Sequence, residues 1–402
     1  MKLSEELMYR GFVAQSTFDK ITDLDEKKRT FYIGFDPSDS SMTIGNMAAI
    51  MMAKVFIKHG YQPVFLVGGA TGMIGDPKDT GERKAKTVAE IEKNKAGICS
   101  QLEQIVGRKV KLVDNYDWFK NINILDFLRD TAKHFSMTQL LDREFVKARI
   151  GEGGSGISLA EFCYSAIQGY DFLWLYRNLG VTLQLCGADQ WGNSVSGLHL
   201  IKRLEGADVH VWSTLLIIDK VSGRKFGKSE GNAIWLDPNR TSPFEYYQFW
   251  LNTNDETVGD LIKIYTEIDP TETNEILALH EKNPGARGAQ KALALAATEI
   301  LHGREVAVNV AHISNVLFGD EDVRELSRSG LKLLAETIPV VVKNTTVVEA
   351  LAKTGLASSN GEAIRLIKGN AVSVNGEKIT EDTKITTLSL IKKGKNNFVL
   401  VK

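Results

Sequence analysis

Two lysines three residues apart, Lys225 and Lys228 in GRKFGKSEGN (223–232), can set two cations over one anion. The glycines and hydroxyl around them suit a loop that closes over a polyphosphate. The stretch is not a Walker A loop, which needs four residues between its glycines where Gly223 and Gly227 enclose three. A second candidate is Thr43-Ile44-Gly45-Asn46, which opens an apolar helix directly after a strand. Such a helix start points free N–H groups and a positive dipole at whatever lies beyond it. Thr43 and Asn46 add neutral donors for phosphate oxygens, and Gly45 leaves room for a flat ring. In GGATGMIGDP (68–77) the glycines permit tight turns that let Asp76 face a pocket. In CGADQWGN, Asp189 and Gln190 follow a strand, where a carboxylate commonly holds ribose hydroxyls. Tyr164, Gln168 and Asp171 are spaced i, i+4, i+7 and share one helix face. Phe162, Ile167, Phe172 and Leu173 bracket that stripe, so it reads as buried and in need of polar partners, which a ligand can supply. Each piece also has an ordinary reading: a capped β-to-α turn, a solvated basic turn, a solvent-facing stripe.

The elements that must position these residues alternate strand and helix from residue 30 to 218. TFYIGF, QPVFLVGG, KVKLVDN and VTLQLCGAD read as strands buried on both faces. Between the first two lies the helix TIGNMAAIMMAKVFIKHG, with Gly60 past its end. Short strand–helix–strand links imply a parallel sheet covered on both faces, with ligands at the carboxyl ends of its strands. Residues 118–175 read as mainly helical and interrupt the sheet. The expected division is a catalytic domain over 1–218 with a helical insertion at 118–165, then a mobile loop and linker over 219–242. A helical domain at 243–318 opens on Ser242-Pro243-Phe244-Glu245, a capping box with proline at N1. A linker with one helix (319–343) precedes a small α+β domain at 344–402, which holds nine basic and five acidic residues in a chain of net charge −1.

The 402 residues are too many for one ordinary core. Apolar residues make up 43% and charged residues 25%, as in a globular protein. Three cysteines without a C-x-x-C pair argue against a disulfide framework or thiolate zinc site and fit a reducing compartment. No signal-peptide core and no membrane-length apolar run is present, so a cytoplasmic location with no membrane association is expected. The seven histidines show no metal-ligand spacing, and no Ser/His/Asp or Cys/His arrangement suggests a covalent nucleophile.

Together these pieces resemble the bacterial-type tyrosyl-tRNA synthetases, class I aminoacyl-tRNA synthetases, end to end. YIGFDPSDSSMTIGN, VGGATGMIGDP, NYDWF, FLRDTAKHFS, YSAIQGYDF, GADQWGN, KFGKS and TSPFEYYQFWLNT carry the likeness. The resemblance implies a Rossmann-type parallel-sheet catalytic domain with a helical insertion, an all-α anticodon-facing domain and a small S4-like RNA-binding domain. It implies that L-tyrosine is activated with ATP and Mg2+, that the tyrosyl group passes to tRNA(Tyr), and that the protein is a homodimer joined through the insertion. Tyr32 and Asp171 then take the substrate phenol. Asp76, Tyr164 and Gln168 hold its ammonium, Gln190 lies by its carboxyl group, and Asp36 is close by. Gly34, Ser38, Gly45, Gly187 and Asp189 fall to ATP, with Gly45 under the adenine and Asp189 on the ribose. Thr43, Asn46, Lys225, Lys228 and Arg83 serve the phosphates. Arg365, Lys368 and Lys378 match RNA contacts. The family's usual His-Ile-Gly-His is replaced here at both histidines; Thr-Ile-Gly-Asn resembles the form in tryptophanyl-tRNA synthetases, which keeps tryptophan in view as an alternative substrate. The lost histidines also motivate an RNA-binding protein on a synthetase scaffold as a second alternative.

Overall fold

The computed structural model describes residues 1–76, 86–141, 144–151, 153–217, 226, 228–229 and 232–402. Its residues fall into two compact units, neither continuous in sequence: Met1–Arg240 with Asp255–Leu277, and Thr241–Asn254 with Ala278–Lys402.

The first unit is built on six strands: β1 (Gln15–Ser16), β2 (Thr30–Phe35), β3 (Gln62–Val67), β4 (Lys111–Asp114), β5 (Val181–Gly187) and β6 (His210–Thr214). Their spatial order is β1-β6-β5-β2-β3-β4, all parallel except the short edge strand β1. The order reverses at β2, between β5 and β3. This is the switch point where the loops after neighbouring strands diverge and leave a crevice. Phe31, Phe65, Val181, Leu183 and Val211 are fully buried, as expected of strands covered on both faces. The four strands read from the sequence are β2 to β5.

The helices α1 (Leu3–Arg10), α2 (Ile44–Lys58), α3 (Gly69–Ile74) and α4 (Val88–Val106) cover this half of the sheet. A polar cluster around the buried Glu6 ties α1 to the end of α2. Glu6, on α1, accepts from Arg10 Nε at 3.0 Å, from Lys58 Nζ at 2.9 Å and lies 2.8 Å from His59 Nε2. Arg10 in turn donates to the carbonyls of Lys263 and Thr266 at 2.9 and 2.8 Å, closing the end of the helix Asp255–Tyr265. Burial alone pushes the Glu6 carboxyl upward, but the His59, Lys58 and Arg10 donors win and hold it down at about 2.

The second unit packs the helices Pro243–Leu251, Gly288–His302, Arg304–Phe318 and Arg328–Thr337 beside a five-stranded sheet formed by Val340–Val341, Val372–Val374, Glu377–Lys378, Ser389–Lys393 and Asn397–Val401. Ser242 Oγ accepts from the Glu245 N–H and Glu245 Oε2 accepts from the Ser242 N–H, the reciprocal cap expected from the sequence. Ile313, Leu317, Val323, Leu326 and Leu334 share one core with Leu390, Phe398 and Leu400, so residues 319–343 contribute to that core. Arg365 and Lys368 stand exposed on the helix Asn360–Lys368, and Lys378 is exposed on a strand. The turn before Lys378 is tight because Asn375 and Gly376 both take left-handed backbone angles (φ 50° and 86°).

Glu6→Gln keeps the shape of the side chain and removes its charge. The depressed carboxyl contributes stability above its unfolded value near 4.5, lost as pH falls through about 2. Urea denaturation at pH 7 should find the variant about 2 kcal/mol less stable, with the difference narrowing as pH falls from 4.5 towards 2.

Candidate active site

The loops after β2, β3 and β5 and the helix Leu159–Leu179 enclose a cavity of about 400 Å³. Tyr32, Gly34, Asp36, Ser38, Thr43, Gly45, Asn46, Asp76, Tyr164, Gln168, Asp171, Gly187, Asp189 and Gln190 all line it. Residues scattered over 158 positions in the chain thus meet at one crevice. Arg83 and Lys225 lie outside the described residues, as does Lys78. Lys228 is described in its backbone, which pairs with Ala233 in a short antiparallel ladder.

At the deep end lies Tyr32, 2% exposed on β2, whose hydroxyl has no hydrogen-bond partner among the described residues. Burial, then the neighbouring Asp171, pushes its phenol well above the ordinary range, so it is a neutral donor. Asp171 is equally buried. Its two oxygens accept from the Trp118 indole N–H at 2.9 Å and from Asn115 Nδ2 at 3.1 Å. Burial pushes its carboxyl well up, while Asn115 and Trp118 pull in the other direction. Asn115 is itself fixed by the Ala70 N–H on its Oδ1 at 2.7 Å, and its Nδ2 also reaches Thr71 Oγ1 at 3.2 Å.

Further out, Tyr164 donates to Asp36 Oδ2 and Thr71 to Asp36 Oδ1, each at 2.7 Å. Asp76 accepts from Gln190 Nε2 at 2.7 Å. Asn193 donates to Gln190 Oε1 at 3.1 Å and accepts from Ser165 Oγ at 2.6 Å, so a chain of three residues sets which end of the Gln190 amide faces Asp76. Four carboxylates line the cavity, and no lysine or arginine does so among the described residues.

At the mouth, α2 begins. Its cap residue Thr43 donates its N–H to Asn46 Oδ1 at 3.0 Å and its hydroxyl to the same oxygen at 3.2 Å. The amide oxygen of Asn46 is thereby occupied, which presents the Nδ2 group as the donor for an incoming anion. The two residues thus form a self-capping pair. The segment leading into it is stitched to the chain beyond the lysine loop: Ile44 N–H donates to the Ile234 carbonyl at 3.1 Å, and Leu236 N–H to the Met42 carbonyl at 2.9 Å.

Sequence reasoning missed several positioning groups. Asn94, Gly97 and Gln101 lie on one face of α4 and cradle residues 37–42. Asn94 Nδ2 donates to the Pro37 carbonyl at 2.9 Å, and the Met42 N–H donates to Gln101 Oε1 at 2.8 Å. A Cβ on Gly97 would sit 2.0 Å from the Ser40 carbonyl oxygen. Gln184, 2% exposed on β5, lines the cavity, and its Oε1 has no partner among the described residues. A lone glutamine in a strand read as buried on both faces was the signal that could have found it. Asn115 and Trp118 were inside a quoted motif, but nothing local marked them as partners of Asp171.

A family model described as tRNA synthetases class I (W and Y) matches residues 24–319, and one for the tyrosine–tRNA ligase SYY-like C-terminal domain matches residues 332–402. A tyrosine–tRNA ligase of Anaeromyxobacter dehalogenans is 39% identical, with 100% of this chain and 99% of that protein covered. Tyrosine–tRNA ligase 2 of Bacillus thuringiensis is 38% identical, with both chains covered completely. Among solved structures, a C-terminally truncated mitochondrial tyrosyl-tRNA synthetase of Aspergillus nidulans superposes with a TM-score of 0.72 at 29% identity, over 79% of this chain and 94% of that one. A tryptophanyl-tRNA synthetase of Encephalitozoon cuniculi shares the fold at 12% identity and a TM-score of 0.55, over 83% of this chain and 92% of that one.

Gly97→Ala should force α4 and the 37–42 loop apart. Chemical denaturation is expected to show a loss of about 2–3 kcal/mol; an unchanged midpoint would mean the contact relaxes without cost.

Proposed function

The chain belongs to the tyrosine–tRNA ligases, class I tRNA synthetases, and from that premise we propose how its own residues divide the work. Such an enzyme activates L-tyrosine with ATP to tyrosyl-adenylate and pyrophosphate, then transfers the tyrosyl group to the 3′-terminal ribose of tRNA(Tyr).

The buried, unpartnered hydroxyl of Tyr32 beside Asp171 carries the reading of the amino-acid end. The substrate phenol accepts from Tyr32 and donates to Asp171. Asn115 and Trp118 hold the Asp171 carboxyl still. Phenylalanine would leave both buried groups unmet, which is how such a site rejects it. The acidic middle of the cavity suits an ammonium: Asp76, Tyr164 and Gln168 take it, with Asp36 fixing Tyr164. Gln190 then faces the substrate carboxylate.

ATP lies towards the mouth, with its adenine over Gly45, its ribose on Asp189 and the Gly187 backbone, and Gly34 and Ser38 beside it. The tyrosine carboxylate oxygen attacks the α-phosphorus in line, the bond to the β-phosphate oxygen breaks, and pyrophosphate leaves. Positioning and charge stabilisation do the work. Thr43, Asn46 and the start of α2 offer neutral donors, while Lys225, Lys228 and Arg83 supply positive charge to the departing pyrophosphate. Mg2+ would arrive with ATP and be held largely by the phosphates it neutralises.

Arg365, Lys368 and Lys378 contact tRNA phosphates from the second unit. The insertion exposes Ile124 and Leu125 at 65% and 70% and Leu159 at 77%, an apolar surface that suits a homodimer interface within 118–165. No helix among the described residues is long and apolar enough to cross a membrane, and the three free cysteines are consistent with the cytoplasm.

Amino-acid-dependent ATP–pyrophosphate exchange tests the phenol site. Tyr32→Phe should lower the preference for tyrosine over phenylalanine about tenfold and Asp171→Asn on the order of a hundredfold or more; wild-type preference in both folded variants would overturn the assignment. Trp118→Phe removes a donor that favours the Asp171 carboxylate, so its pKa rises further. The acid limb of kcat/KM for tyrosine should then move to higher pH, with the plateau at alkaline pH less affected.

A further inference from the structure

The helix Asp255–Tyr265 lies, by sequence, with the helical block that follows the lysine loop, yet it is part of the first unit. Its last residue, Tyr265, is fully buried, and its hydroxyl donates to the carbonyl oxygen of Ile44 at 3.1 Å. The Tyr265 ring also lies 6.1 Å, centroid to centroid, from that of Phe226, which lines the cavity from within KFGKS. One side chain therefore touches both phosphate-directed motifs. We propose that Tyr265 is a positioning residue for adenylate formation, acting through the first turn of α2. This inference rests on the reading of Thr43–Asn46 as phosphate donors.

The Ile44 carbonyl and the Gly45 N–H belong to one peptide group. A hydrogen bond accepted at the oxygen polarises the N–H at the other end and strengthens it as a donor. Gly45 is the second residue of α2, so its N–H has no acceptor within the helix, and it lines the cavity. The Tyr265 hydroxyl thus strengthens a backbone donor in the cavity wall at the start of α2, next to Thr43 and Asn46, without lining the cavity itself. It also fixes the start of α2 in place, while the Glu6 cluster holds its end at Lys58 and His59 and Lys54 pairs with Glu267 at 2.9 Å. A helix gripped at both ends keeps its N-terminal donors at a set distance, where an error of about 1 Å can cost a hundredfold in rate. Phe226 against the same ring places the lysine loop's aromatic residue on this brace.

Tyr265→Phe removes only the hydroxyl. In single-turnover adenylate formation with saturating ATP, the rate should fall roughly tenfold, while the equilibrium affinity for tyrosine stays within about twofold. Tyr265→Leu, which also loses the ring contact with Phe226, should fall further. A brace that served stability alone would lower the denaturation midpoint and leave that rate unchanged, and this result in Tyr265→Phe would overturn the proposal. Thr43→Ala with Asn46→Ala is run in parallel. If that pair loses the rate and Tyr265→Phe does not, the positioning role fails and the phosphate site stands; if neither variant changes the rate, both fail.

Discussion

An ammonium and a polyphosphate must lie side by side in one cavity, and they ask for opposite fields. Two unit charges 4 Å apart interact by about 4 kcal/mol at an effective dielectric constant near 20, so neither demand can be met by compromise. The fold separates them along the strands' carboxyl ends. Carboxylates from the β2 and β3 loops and the helix Leu159–Leu179 line the interior, where we propose the amino acid goes. The mouth uses a helix N-terminus with uncharged donors. A lysine in the interior would pair with Asp36 or Asp76 and fill the ammonium site we propose.

This division accounts for what could be read from the sequence. Strands β2 to β5, the α2 helix and the stripe Tyr164–Gln168–Asp171 follow from periodicity and spacing, because backbone geometry forces them. Tyr32, and the phenol role of Asp171, were named only through family resemblance; residue chemistry alone marked the stripe and not its partner. The hidden part is the layer behind the site. Gly97, Asn94 and Gln101 are ordinary helix residues until the chain folds and brings the 37–42 loop against them. Asn115 and Trp118 reach Asp171 across more than 50 residues. No local pattern encodes such pairings, since they depend on which loop the sheet order places beside which helix.

Thr43 and Asn46 illustrate how a helix start can present donors to a cavity without a titratable side chain. Two imidazoles would offer titratable donors; a hydroxyl and an amide that cap the helix and each other offer neutral ones. Their donor strength is the same at every physiological pH, so any acid sensitivity of the phosphate end must come from elsewhere in the molecule.

The chain passes between its two units three times, after Arg240, after Asn254 and after Leu277. No single cut therefore separates them. A gene fragment ending at Arg240 forfeits Tyr265 and the carbonyls that Arg10 grips, and one ending at Leu277 carries Thr241–Asn254 without the helices that cover it. Evolutionary gain, loss or exchange of the second unit is accordingly constrained: even its terminal sheet is not a free cassette, since Leu390, Phe398 and Leu400 share a core with Ile313, Leu317 and Leu334 of the helices that precede it.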